Sequence, residues 1–486
     1  MALVLVLTGA MGCSAGPAPE AGDDVDSDGG SQVTDQTSGA TVPPPRPDGP
    51  LEPAWTLSMA GPTNEDEIDG VAAGAAGSVF ITGKFRSTVT IGSTVLRSAG
   101  AADIPVARIS ADGSVLWARH FGGSGEDNFF DIDADDTTAV AAGIVTGQVA
   151  FDDVVVTSAG GTDCVVAAFN NDGAVRWVTL LGGPGDDGCN EVTVSADGSV
   201  TTSLDTSGGW DSPAGPLALT AGRDTLLVRL NAAGDTVWAR LIGGDGPQRG
   251  KALAVAPDGS IAFGGDTIGP LTAGPATLTP SSNQRSGWLS RWSSDGTLRW
   301  WTVWDGGGTS LVKGLADDGE SVTAVGPFAR TVDVGGGALD AGDSGDLAVV
   351  RYDAQGNLMW ATSITADSMV TGAEIVGAAD GGVVFAGVNG PGLRFGQPNG
   401  GSVTAAHPDR GSVWLTHYCP DGTVALATTI AGTSDERPGE LSLKGSILFV
   451  DMVLRGAAND DAGDPIANAG KDASVWSFTL PSATAC

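Results

Sequence analysis

Positive charge is scarce in this chain: 24 Lys and Arg stand against 58 Asp and Glu among 486 residues, a formal net charge of −34. Such a surface repels phosphate backbones and anionic lipid headgroups, which excludes nucleic acid as a partner and any broad membrane-docking face. Histidine and tyrosine are nearly absent, at 3 and 2 residues. His120 lies far in the chain from His407 and His417. No CxxC pair and no glycine-rich loop opening a helix accompanies them, so nothing in the sequence supports catalysis and the chain reads as a non-enzyme. Long helical periods are also missing. What is abundant is glycine, 75 residues, with 26 prolines, the composition of many short strands joined by turns.

The longest apolar run is the opening "MALVLVLTGAMGCSAG", too short to span a bilayer as a helix and shaped like a secretion signal over residues 1–12. Ala10-Met11-Gly12-Cys13 resembles the lipobox of bacterial lipoproteins, in which the cysteine after a small residue is lipidated. The resemblance implies Cys13 as lipid anchor and, with Ser14 beside it, outer-membrane sorting. The alternative is an ordinary cleaved signal followed by a chance cysteine. Residues 13–52, rich in Gly, Ser, Pro and Asp, cannot bury a core and form a disordered tether. Within it Asp24, Asp26, Asp28, Gly29 and Asp35 have calcium-loop spacing. Without helix-forming flanks they read as a solvated linker.

From residue 53 the chain repeats. Trp55, Trp117, Trp177, Trp238, Trp300, Trp360 and then Leu426 are separated by 62, 60, 61, 62, 60 and 66 residues. Each unit reads as four short strands, with Asp-Gly turns such as Asp112-Gly113, Asp172-Gly173, Asp295-Gly296 and Asp421-Gly422 between the third and fourth. Small first strands suit a crowded axis, and tryptophan-bearing fourth strands suit a splayed rim. The spacing predicts an all-β fold, a seven-bladed β-propeller of four-stranded antiparallel blades over residues 53–486. The last unit lacks a fourth strand, and "PAWTLSMAG", residues 53–61, is a fourth strand without a blade. The amino-terminal strand is therefore expected to complete the last blade by pairing with "VWSFTL".

Trp117, Gly122, Gly123, Glu126, Asp127, Ala159, Gly160, Gly161, Asp163 and Trp177 together resemble the bacterial SBBP-type β-propeller repeat, across essentially everything after the tether. The fourth and fifth units depart from it, with Pro247-Gln248 and "DGGGTS" in place of the acidic pair. The resemblance implies a secreted or surface protein with a scaffold or binding role. "SADGSVLW", Ser110 to Trp117, also looks like the Asp-box of sialidases, a structural element even in those enzymes.

Three sets of residues are candidates for more than architecture. Asp127, Asp163 and Asp187 fall in loops of one face, where oxygen ligands suit Ca²⁺. Their competing reading is that each accepts hydrogen bonds from amides of the neighbouring Gly-Gly turn, and their recurrence in most units favours it. No other cofactor is implied. An even set of exported cysteines predicts disulfides Cys164–Cys189 and Cys419–Cys486. Trp210, Trp301 and Trp304, in irregular segments, are candidate anchors for a ligand, against packing between blades. The sequence reading is a monomeric, outer-membrane-anchored lipoprotein of the cell envelope, touching the membrane only through its lipid and binding a protein or cell-surface glycan. A propeller-fold carbohydrate hydrolase and a purely structural envelope component are the alternatives.

Overall fold

The structure, a computed structural model, describes residues 51–486 apart from 63–65, 214, 218–222, 245, 282, 389, 406–412, 431–436, 456–470 and 482–485. Cys13, the signal and the tether with its acidic stretch, up to residue 50, lie outside the described residues. No described helix is long and apolar enough to cross a membrane.

The fold is an all-β propeller. Six blades, residues 67–121, 128–181, 187–244, 248–304, 314–365 and 371–430, are each built from one contiguous segment as four antiparallel strands in sequence order. Their first strands, Glu67–Ala73, Asn128–Ala134, Asp187–Val194, Gln248–Val255, Gly314–Asp317 and Thr371–Gly377, pack one on the next around the axis. Between neighbouring sheets lies a dry layer of valine, isoleucine and phenylalanine, for example Phe121, Phe129, Phe151 and Phe169 between the first and second blades. Each such side chain contributes about 1.5–3 kcal/mol when fully buried.

The expectation of seven four-stranded blades is corrected: the chain builds six, and its ends do not add a seventh of the same kind. The remaining sector is a composite six-stranded sheet, ordered Arg437–Lys444, Ile447–Arg455, Lys471–Thr479, Trp55–Ala60, Thr88–Ile91 and Thr94–Arg97. The reason is that the carboxy-terminal segment supplies only three strands. The pairing of the amino-terminal strand is present, with Trp55 opposite Ser477 and Met59 opposite Ala473. The hairpin Thr88–Arg97 then reaches back from the first blade to pair Ile91 with Met59. Arg437–Lys444 packs on Glu67–Ala73, so this composite sheet closes the ring.

Reaching back is a general habit of the segment between second and third strands. The hairpin Leu271–Leu278 of the fourth blade joins Gly243 on the rim of the third, and Arg394–Thr404 of the sixth joins Ile364 on the rim of the fifth. Bridges Gly122–Ala150 and Asp305–Asp333 make the same connection elsewhere.

The recurring tryptophan is a second tie between sheets. Its indole Nε1 donates to a carbonyl in the glycine-bearing turn between third and fourth strands of the following blade: Trp55 to Ala111, Trp117 to Asn171, Trp177 to Ala232, Trp238 to Ser294, Trp300 to Ala354 and Trp360 to Pro420, at 2.8–3.1 Å. The turn's glycine has a left-handed backbone and lies flat on the ring; a Cβ at Gly173 would sit 3.0 Å from Trp117. Tryptophan, turn and glycine are thus one unit of architecture, used six times.

Candidate functional site

The wall of the axial channel is made by the innermost strands, which are sheet edges with one row of amides unpaired by any strand. A β-bulge interrupts nearly every one of them: between Ile68 and Gly70, Phe129 and Asp131, Cys189 and Val192, Gly250 and Ala252, Gly372 and Ile375, and Pro438 and Leu441. Bulges re-aim side chains, and here they lie at or beside a ring of charge: Asp69, Asp131, Glu191, Lys251, Glu374 and Glu440, joined by Lys313 just ahead of its strand. Each stands 13 or 14 residues after its repeat's tryptophan position. Every sector therefore contributes one charged group, five acidic and two basic.

These carboxylates satisfy the edge amides of the next sector. Val71 N donates to Glu440 Oε2 at 3.2 Å, Val192 N to Asp131 Oδ2 at 2.6 Å and Val194 N to Asp133 Oδ2 at 2.8 Å. Asn128 Nδ2 donates to Asp69 Oδ2 at 3.0 Å, and Lys313 Nζ lies 3.5 Å from Glu374 Oε1. Behind the ring, the buried Asp451 approaches the bulge at Gly439, where a Cβ would meet its carboxylate at 2.4 Å.

Crowding so many acids in a narrow space disfavours their charge. Burial, with the neighbouring Asp133 adding to it, raises Asp131 to about 7, and burial raises Asp69 and Asp133 to about 6. Glu191, Glu440 and Asp451 are pushed well above the ordinary carboxylate range by burial first and neighbouring acids second, while Lys251 and Lys313 offset part of this at Glu191. Glu374 is raised by burial despite Lys313. The channel encloses ≈ 190 Å³, lined by Val71, Asp131, Glu191, Lys313, Glu374 and Glu440 among others. Pockets that hold drug-sized ligands span roughly 300–1,000 Å³. An ammonium, a guanidinium tip or a metal ion fits this space.

The loop-face aspartates are placed differently. Asp127 accepts from Gly123 N at 2.8 Å and Thr146 N at 2.9 Å, and Asp187 from Gly183 N at 2.6 Å and Ser207 N at 3.2 Å. Asp163 accepts from Ala159 N through Oδ2, leaving Oδ1 unpaired, and burial raises its pKa. Asp163 and Asp187 flank Gly182, whereas Asp127 belongs with Asp103. The three do not form one group. Among the described residues, the only trio of His, Cys, Asp or Glu with ligand atoms all within 4.8 Å is Asp380, His417 and Cys486.

Cys164 and Cys189 lie at disulfide distance with Cα atoms 5.0 Å apart, both fully buried, and Cys419 and Cys486 do so at 5.4 Å. The three candidate anchor tryptophans are wholly or partly buried. Trp304 is fully enclosed and donates to the Tyr352 hydroxyl at 3.0 Å, and Trp210 is 7% exposed in the core beside the third blade. Trp301 is half-buried against the layer between the third and fourth blades.

No family model matches the chain, and no curated protein matches it. Solved structures similar to it include a chain of the mitotic checkpoint complex, at 11% identity over 96% of this chain and 99% of that one with a TM-score of 0.45. The WD40 β-propeller domain of Doa1 follows at 10% identity, 89% and 98% coverage and a TM-score of 0.44. Puromycin hydrolase is similar at 13% identity, 87% and 57% coverage and a TM-score of 0.40.

Proposed function

We propose that this chain is a non-catalytic ligand-binding propeller of the cell envelope, carried on a tether lipidated at Cys13, of the SBBP type that its repeat resembles. Its partner, an envelope protein or an amine-bearing glycan, docks over the axial mouth and places a cationic group in the ring. The observation that carries this reading is the convergence of Asp131, Glu191, Glu374 and Glu440 on one narrow channel, where burial raises their pKa values and repulsion from neighbouring acids adds to it at Glu191 and Glu440. An entering cation relieves that repulsion, and the overall charge of −34 steers it there.

The test is calorimetry of the Cys13→Ala chain with an oligolysine peptide and with chitosan fragments. Binding of either that weakens at least tenfold in Glu191→Gln/Glu440→Gln supports the reading. Equal affinity of wild type and variant, or no binding of either probe, overturns it.

A carbohydrate hydrolase is the second reading, favoured by Glu191 and Glu440, since an acid held protonated near neutral pH is what a general acid requires. The channel volume stands against it. Release of reducing sugar from envelope glycans by wild type and not by Glu440→Gln would favour the hydrolase over the scaffold.

A further inference from the structure

The trio at Asp380, His417 and Cys486 interrupts a pattern. In the third, fourth and fifth blades the third strand carries a buried arginine near its end. Arg229 reaches Thr201, Arg291 reaches Asp317 and Gly319, and Arg351 reaches Asp318 and Gly381, each pinning the turn between first and second strands. In the sixth blade that position is His417, on the strand Val413–Tyr418, and the turn residue beside it is Asp380. The shorter side chain leaves space that Cys486 enters. The second blade carries Ala168 at this position, but among the described residues it is only in the sixth that the side chain meets both a carboxylate and a cysteine.

His417 is 3% exposed, and its Nδ1 is buried without a partner, so Nε2 is the nitrogen that faces the cluster. Nε2 lies 3.3 Å from Asp380 Oδ1 and 3.7 Å from Cys486 Sγ. Metal bonds of about 2.0–2.1 Å to nitrogen and oxygen and about 2.3 Å to sulfur give tetrahedral ligand separations of about 3.4 and 3.6 Å. The observed spacings match both. Cys419, two residues after His417 on the same strand end, is bonded to Cys486 and supplies a second sulfur once that bond opens.

We propose that Asp380, His417, Cys419 and Cys486 form a zinc site in the reduced protein, in exchange for the Cys419–Cys486 disulfide. A dithiol reductant attacks the accessible Cys486 sulfur and passes two electrons to the protein disulfide. The protein S–S bond breaks, the reductant closes its own disulfide, and its two protons move to Cys419 and Cys486. Zn²⁺ then binds both sulfurs as thiolates, releasing those two protons. His417 Nε2 and one Asp380 oxygen complete four ligands, Nε2 giving its proton to Nδ1 within the neutral ring. In either state the segment ending at Cys486 stays fastened to the sixth blade. The other pair cannot follow this course, because Cys164 and Cys189 are fully enclosed in the apolar layer between the second and third blades.

The test is Co²⁺ titration of the full chain carrying Cys13→Ala, oxidised and after reduction with a dithiol that is then removed under anaerobic conditions. The reduced protein is expected to take one equivalent with thiolate-to-cobalt charge-transfer absorption, displaced by Zn²⁺, while the oxidised protein shows none. His417→Arg restores the residue of the third, fourth and fifth blades, and it is expected to keep the fold and to weaken binding at least tenfold, as is Cys486→Ser. The melting temperature of the reduced chain is expected to rise on adding Zn²⁺. Reduced protein that takes no cobalt, His417→Arg that binds as tightly as wild type, or reduced chain that unfolds without rescue by Zn²⁺ would each overturn the site.

Discussion

The indole of Trp238 lies across Gly296 of the next blade, donating from Nε1 to Ser294 at 3.0 Å while the glycine holds a φ of +76°. A Cβ at Gly296 would stand 2.9 Å from the ring and 3.0 Å from the Arg240 guanidinium carbon. Left-handed backbone alone costs an L-residue about 1–2 kcal/mol. Gly296→Ala should therefore lose about 2–3 kcal/mol in urea unfolding. Gly274→Ala, at φ +57° with nothing within 4 Å of the new methyl, should lose only the backbone part. Equal losses would remove the ring from the account.

Arg291 grips Asp317 with two hydrogen bonds of 3.0 and 3.1 Å, and both side chains are almost completely buried. Removing one partner of such a pair costs about 3–5 kcal/mol, because the other charge is left without compensation. Arg291→Met should lose that much, and Arg291→Met/Asp317→Leu markedly less. A double variant as unstable as the single one would show that the arginine acts through Ser260 and Gly319 instead.

The channel acids set the pH dependence. Asp69, Asp131 and Asp133 have folded pKa values of about 6, 7 and 6, above the ordinary 3.8, so between these values the folded chain binds more protons than the unfolded one. Their contribution to stability is full below pH 4 and is lost as pH rises through 6 and 7. Melting temperature should fall from pH 5 to pH 8, and Asp131→Asn should flatten that slope. Turn aspartates such as Asp258 and Asp421, held below the usual range by serine or threonine hydroxyls and amides, act oppositely and only in stronger acid.

Met59 is 1% exposed, on the strand that completes the composite sheet. Met59→Asp places a charge in an apolar layer and should lower the melting temperature by at least ten degrees. Deleting residues 53–61 should abolish cooperative unfolding. A deletion variant that melts like the full chain would show that the ring holds without this strand.

The repeat, the strand count per unit, the turn glycines and the reach of the chain start to the carboxy-terminal strands were legible in the sequence, because each rests on local chemistry at fixed spacing. The composite sheet was not. Whether Thr88–Arg97 folds onto its own blade or the preceding one depends on three-dimensional proximity that no periodicity carries. The Gly-Gly and Asp pairs also resolve only in space: Gly182 is bare because Asp163 and Asp187 close on either side of it. The channel ring had a sequence signal, a charged residue 13 or 14 positions after every tryptophan position, from Asp69 to Glu440. That signal is masked because its chemistry mixes carboxylates with two lysines, and because one charge per strand reads as solvent-facing. The burial of Trp304 could not be inferred from its irregular surroundings either, since the hydroxyl that satisfies its indole belongs to Tyr352, one blade away.

The strand Trp55–Ala60 is among the first parts of the ring to be made, yet its partner Lys471–Thr479 is among the last. At a synthesis rate of roughly 5–20 residues per second, Trp55–Ala60 must wait roughly 20–80 s, unpartnered and sticky, before its seat exists. The molecule consequently cannot finish assembling vectorially, blade after blade, and its early life calls for a holding chaperone.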